Sequence, residues 1–236
     1  MSARVVEVFS SLQGEGPLLG ERQVFVRLGG CNLLCDYCDE PDTIPLRSGS
    51  VWSAEQLRRA VLQAAQGRRH PSVSWTGGEP LLQARFLAGM MAWARKQGFK
   101  NYLETNGVLP KAFAEVRALT DTAAVDLKLP SATGKSHWKA HGEFLSMTRV
   151  GDFVKVVLTG DSQAEEWAAV VGLLAERAPR LPLILQPATP TPSARKDGTM
   201  VVPLAQDKLK AFVERARERL DDVRIVPQWH RIWGLR

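Results

Sequence analysis

Cys31, Cys35 and Cys38 stand in the run Gly29-Gly30-Cys31-Asn32-Leu33-Leu34-Cys35-Asp36-Tyr37-Cys38-Asp39-Glu40, and they are the only cysteines of the 236-residue chain. A structural zinc or a simple electron-transfer cluster normally takes four protein ligands. Three thiolates leave one coordination position open, where a small molecule can bind and react. The C-x3-C-x2-C spacing therefore points to a reactive metallocluster rather than a structural staple. Clustered cysteines in odd number also argue for metal chemistry in a reducing cytoplasm and against disulfides.

A second set of chemistry-bearing residues follows the apolar runs. Residues 72–76 lead into Thr76-Gly77-Gly78-Glu79-Pro80, and 100–105 into Glu104-Thr105-Asn106-Gly107. Later runs end in Asp126-Leu127-Lys128, Thr159-Gly160-Asp161 and Gln186-Pro187. Turn residues and helix caps explain each cluster singly, but not all of them together. In parallel α/β folds the carboxyl ends of the strands share one face, and active sites are built there. Gly77-Gly78-Glu79 calls for a backbone that approaches a ligand edge, with a carboxylate beside it. Leu12-Gln13-Gly14-Glu15-Gly16 reads as a tight turn carrying a second acid.

The elements that must position these groups alternate. Short strands at Arg4–Phe9 and Gln23–Leu28 flank the glycine-rich Ser10–Gly20 loop, and helical patterns then alternate with apolar strands to residue 227. The helix from Val51 to Gln66 has Ser53 as N-cap with Gln56 three residues on, a capping box. Residues 131–149 read as irregular. The alternation implies one α/β domain with a parallel sheet or barrel. The stretch Ala188–Pro203, with Pro190, Pro192 and Pro203, breaks the pattern and reads as a loop over one face, a candidate lid.

Composition sets outer bounds. With 44% hydrophobic and 24% charged residues the chain is an ordinary globular protein. No apolar run approaches the ~20 residues of a membrane span, and the N-terminus shows no signal core. The formal net charge of +6 is scattered and interleaved with acids, so it gives no reason to expect direct nucleic-acid binding.

Taken together, the cysteine run with Tyr37 before its last member and the Gly-Gly-Glu-Pro after a strand resemble the radical S-adenosylmethionine superfamily. Phe9 to Gly16, Phe25 to Leu28 and the terminal Pro227-Gln228-Trp229-His230-Arg231-Ile232-Trp233-Gly234-Leu235-Arg236 narrow the resemblance to the 7-carboxy-7-deazaguanine synthase family, over essentially the whole chain. The resemblance implies a partial or modified parallel β/α barrel. It also implies a 4Fe–4S cluster on Cys31, Cys35 and Cys38, with S-adenosylmethionine on the open iron as the source of a 5′-deoxyadenosyl radical. The reaction implied is ring contraction of 6-carboxy-5,6,7,8-tetrahydropterin to 7-carboxy-7-deazaguanine with loss of ammonia, assisted by magnesium. A homodimer and a flavodoxin or ferredoxin as reductant are implied as well.

By the same resemblance, Tyr37, Cys38, Asp39, Gly78, Asp126, Leu127, Lys128, Gln186, Pro187, Ala188 and Thr189 line the S-adenosylmethionine site. The substrate pocket is implied at Leu12, Gln13, Gly14, Glu15, Arg27, Thr76, Glu104, His230 and the terminal carboxylate of Arg236. Arg27 offers a fork for the pterin carboxylate, and Glu15 and Glu104 can accept from the N–H-rich aminopyrimidine edge. One residue departs from the family pattern: Glu40 follows Cys38-Asp39 where a threonine is usual. A carboxylate is a legitimate hard ligand for magnesium, so Glu40 is the expected metal residue, with Asp42 and Thr43 as alternatives.

Two other readings stay open. A glycyl-radical-enzyme activase uses the same cysteine spacing, but leaves Arg27 and the terminal motif unexplained. A zinc-stabilised RNA-binding protein would need a fourth ligand from the four histidines, and none lies at finger-like spacing.

Overall fold

Alternation within the strands decides how this chain folds. In the computed structural model, which describes residues 1–235, β1 (Ser2–Leu12), β2 (Arg22–Leu28), β3 (Ser50–Ser53), β4 (Ser72–Gly77), β5 (Lys100–Thr105), β6 (Thr122–Asp126), β7 (Phe153–Leu158), β8 (Leu183–Pro187) and β11 (Val223–Ile225) form one nine-stranded sheet. Its order is β11-β8-β7-β6-β5-β4-β2-β1-β3. From β2 to β11 all neighbours are parallel, whereas β1 runs antiparallel to both β2 and β3. The sheet stays open, the partial barrel expected.

Successive side chains of a strand point to opposite faces. Val24, Val26, Val73, Trp75, Leu103, Val125, Val154, Val156, Leu183 and Leu185 face one way, into the main hydrophobic core. That core is closed by helices, among them α1 (Ala54–Ala64), α2 (Ala84–Lys96), α3 (Pro110–Val116), α5 (Trp138–Leu145), α6 (Ala164–Arg177) and α7 (Gln206–Arg217). The intervening residues, Phe25, Arg27, Thr76, Glu104, Asp126, Lys155 and Gln186, line the cavity on the opposite face. A small second core of Tyr102, Ala124, Phe153 and Ile184 supports that inner face.

The capping box at Ser53 forms as the sequence predicts, and α1 begins at Ala54. Val51 and Trp52 belong to the edge strand β3 instead of the helix, because β1 extends to Ser2 and pairs with them. Residues 131–149 are more regular than expected: α4 (Pro130–Thr133) and α5 fill most of them. Ala188–Pro203 carries the hairpin β9 (Thr191–Pro192) and β10 (Met200–Val201), and α8 (Trp229–Ile232) starts the tail. No helix among the described residues is long and apolar enough to cross a membrane.

Candidate active site

A cavity of about 370 Å³ occupies the inner face of the sheet. It is lined at one end by the three cysteines and at the other by the Leu12–Glu15 loop, with His230 and Leu235 of the tail closing over it.

At the cysteine end the loop is held by main-chain bonds on both arms. Gly30 N–H donates to Thr43 (2.8 Å), Cys31 N–H to Ile44 (3.0 Å), and Cys38 N–H to Cys35 (3.2 Å). The Gly-Gly-Glu turn packs directly on it: a Cβ on Gly78 would stand 2.2 Å from the Gly30 carbonyl oxygen, so only glycine fits. Burial pushes the Cys35 thiol up to about 12 and raises Cys31 and Cys38 too. These sulfurs are neutral thiols until a metal takes them as thiolates. Among the described residues no three donors close around a single ion. The donor set, three soft ligands and no fourth, fits the cluster that the resemblance implies.

Beyond the cysteines runs a ladder of alternating charge. Lys128 Nζ lies 5.0 Å from the centre of the Tyr37 ring and 2.8 Å from Asp126. Lys155 stands 3.3 Å from Asp126 and donates to Glu15 on its other side. Glu15 also accepts from Gln186 (3.2 Å) and Gln228 (3.1 Å). Burial works to raise the Glu15 pKa, but Lys155 outweighs it and brings it down to about 2. For Lys155 and Lys128 burial favours the neutral amine, and the facing carboxylates reverse that and push both pKa values up. Oδ1 of Asp126 and Oε1 of Gln186 are buried without a hydrogen-bond partner among the described residues. Two open acceptors on the cavity wall suit a ligand that carries ammonium or hydroxyl donors.

Glu104 is held at the floor by Gln13 (3.0 Å) and Thr76 (2.7 Å). Arg27, 5.8 Å from the centre of the Phe9 ring, has its fork shared between Glu7 (2.9 Å) and Glu40 (3.1 Å). Glu40 thus spends its carboxylate on Arg27. Thr43 lines the cavity with its hydroxyl already donating to the Glu40 carbonyl (2.7 Å), and Asp42 stays outside the lining. The tail docks through Trp229 N–H to the Gly14 carbonyl (3.0 Å). A Cβ on Gly14 would meet His230 at 2.6 Å. Gln228 joins Glu15, Asp39 (3.2 Å) and Thr189 (2.6 Å).

The sequence-predicted residues therefore converge, with three exceptions. Leu127 is fully buried in the core and Pro187 does not line the cavity: each sits between two lining residues, so alternation turns it to the other face. Glu79 is not a ligand-facing acid. It is fully buried, accepts from Leu81 N–H, Asn106 N–H and the Thr105 hydroxyl, and staples the turn after β4 to that after β5. Arg236 lies outside the described residues. Lys155 and Gln228 escaped the sequence reading. The signal for Lys155 was a lone lysine inside Phe153-Val154-Lys155-Val156-Val157, where a buried charge must be paired.

Residues 25–157 match the family model described as the Radical SAM superfamily. Over its full length the chain is 34% identical to the 7-carboxy-7-deazaguanine synthase of Methanothermobacter thermautotrophicus, covering 99% of that protein. The synthase of Geobacter sulfurreducens is 35% identical over 98% of this chain and 97% of its own length. The crystal structure of QueE from Escherichia coli superposes with a TM-score of 0.66 at 20% identity, over 98% of this chain and 95% of that one. A radical SAM methyltransferase from Sphaerobacter thermophilus gives 0.62 at 17% identity over 88% and 70%. These two structures share the fold.

Proposed function

The chain belongs to the 7-carboxy-7-deazaguanine synthase family of radical S-adenosylmethionine enzymes, and we propose that it converts 6-carboxy-5,6,7,8-tetrahydropterin to 7-carboxy-7-deazaguanine with release of ammonia. The observation that carries this reading is one cavity that joins three thiols to paired carboxylates, amides and the guanidinium of Arg27.

The cluster and S-adenosylmethionine, when bound, supply one-electron hydrogen abstraction from the substrate. The protein supplies orientation and exclusion of water. Cys31, Cys35 and Cys38 hold the cluster, and Gly78, Asp126 and Gln186 offer acceptors to the cofactor. Glu15, kept ionised by Lys155, and Glu104 accept from the N–H-rich edge of the pterin, an edge whose donors would stay unpaired in a purely apolar pocket. Gln228, His230 and Leu235 of the tail line the cavity and would shield the bound substrate from water.

We infer from the charge around Arg27 that magnesium would be held at Glu40. The guanidinium is already neutralised by Glu7 and Glu40. When the substrate carboxylate takes the fork, Glu40 is displaced beside a second anion. Glu40 would hold a divalent cation whose charge offsets that repulsion, in the role of the family's threonine. An external one-electron donor such as a flavodoxin or ferredoxin, a homodimer and the reducing cytoplasm complete this reading.

The test is anaerobic turnover of reconstituted protein with 6-carboxytetrahydropterin, S-adenosylmethionine, reductant and magnesium, read by mass spectrometry. Formation of 7-carboxy-7-deazaguanine supports the reading. Cleavage of S-adenosylmethionine without ring contraction would keep the radical chemistry and remove the substrate. The activase and zinc readings are not favoured, since the full-length match and the tail-closed cavity both suit a small molecule.

A further inference from the structure

We propose that Ala188–Pro203 is a strap that fixes the cluster loop from outside, and that Arg195 and Asp36 are positioning residues for the three thiols. The inference rests on the reading that those thiols hold a cluster.

Asp36 lies between Cys35 and Tyr37, and its side chain does not line the cavity. It is only 4% exposed, and the strap meets its carboxylate with a complete set of donors. Arg195 approaches with both arms of its fork, Nε to Oδ1 at 2.9 Å and Nη2 to Oδ2 at 3.0 Å. The Ser193 hydroxyl donates to Oδ1 (3.1 Å), and Lys196 Nζ stands 3.3 Å from Oδ2. The backbone is held as well: Asp36 N–H donates to Ala132 (3.0 Å), and its carbonyl accepts from Ala194 N–H (2.9 Å). Arg195 also donates to the Ser131 carbonyl (3.2 Å), so one side chain ties the strap, the cluster loop and α4 together. A Cβ on Gly134 would come within 2.4 Å of Arg195 Nη1, so the guanidinium fills a closely fitted slot.

The strap is fastened at its ends too. Ala188 N–H donates to Leu158 (2.9 Å), Gly160 N–H donates to Val202 (2.8 Å), and Lys196 bridges to Asp161 (2.8 Å). A lid that opened would have to break all of these at once, so the segment does not act as the lid that its composition suggested. Its mechanical effect falls on the sulfurs. Asp36 is covalently joined to Cys35, and the turn from Cys38 N–H to the Cys35 carbonyl passes the constraint on to Cys38. A bidentate guanidinium–carboxylate pair is the side-chain contact best able to hold such a loop in one geometry.

The test compares the parent with Arg195→Met, Asp36→Asn and the double variant, in two measurements. After anaerobic reconstitution, iron loss to an excess of chelator should be about 10–100-fold faster in each single variant, matching the range by which metal affinity falls when groups behind metal ligands are removed. The double variant should be no faster than the worse single one, and Arg195→Lys, which keeps the charge, should recover part of the difference. In the metal-free chain, hydrogen exchange should rise in residues 31–40, 130–134 and 188–203 and stay unchanged elsewhere. Arg224→Met, which breaks the exposed Arg224–Asp222 pair, should change neither readout. Iron loss at the parent rate, or exchange that rises throughout the chain, would overturn the proposal. A parent that takes up no iron would instead remove the cluster reading, and the exchange measurement would still decide whether the strap holds the loop.

Discussion

Lys155→Met tests the charge ladder directly. The variant removes the ammonium between Glu15 and Asp126 and leaves Glu15 buried with only amide donors and a histidine 4.0 Å away. Taking one partner from a buried ion pair costs about 3–5 kcal/mol. The Glu15 carboxyl gives an independent figure. Its pKa falls from 4.5 to about 2, which at about 1.4 kcal/mol per unit is about 3 kcal/mol in favour of the charged form. In a chain of this length that lowers the melting temperature by about 6–12 °C at pH 7. The pH dependence carries a sign. In the parent, the depressed pKa means that the contribution is complete above pH 4.5 and is lost only as pH falls toward 2. In the variant, burial acts on Glu15 without Lys155 to oppose it, the pKa rises above 4.5, and folding favours the protonated acid. The stability gap between parent and variant should therefore narrow between pH 7.5 and pH 5. Thermal melts of both metal-free proteins at the two pH values measure it. A gap below about 1 kcal/mol at pH 7.5, or one of equal size at both pH values, would refute the ladder.

Three further outcomes follow from the same geometry. Glu79, raised to about 7 by burial, destabilises the fold increasingly as pH climbs from 4.5 to 7. Melting of the parent should rise on acidification from pH 7.5 to 5.5, and Glu79→Gln should lose that response while costing about 1–3 kcal/mol for the donors it mispairs. Gly14→Ala places a methyl against His230, so the tail should lift: the KM for the pterin rises about tenfold or more, while the melting temperature stays within a few degrees. Glu40→Gln should raise the magnesium concentration needed for half-maximal turnover by at least about tenfold, and turnover by the parent that is indifferent to magnesium would remove the ion from position 40.

What the sequence disclosed and what it hid differ by range. The cysteine loop, the Gly-Gly-Glu turn and the capping box at Ser53 are local constellations, each complete within about a dozen residues, so spacing alone identifies their chemistry. The alternation of helical patterns with short apolar strands was equally readable, and it correctly implied a largely parallel sheet. The period of two along a strand also accounts for Leu127 and Pro187, each of which follows a cavity-lining residue and turns to the other face. The long-range partnerships left no such mark. Lys155 and Glu15 are 140 positions apart, Arg195 and Asp36 159, and Gln228 and Glu15 213.

Each of these pairs joins elements whose proximity is fixed by sheet order, not by sequence, yet each has a single-residue trace that physics can interpret. A lysine within an apolar strand is tolerable only with buried acids opposite it. An aspartate wedged between a cluster cysteine and its aromatic neighbour, and buried, must find a cation somewhere in the chain. Ala188–Pro203 supplies that cation, which explains why a proline-rich, apolar-poor stretch that resembles a mobile lid is instead fastened along its length.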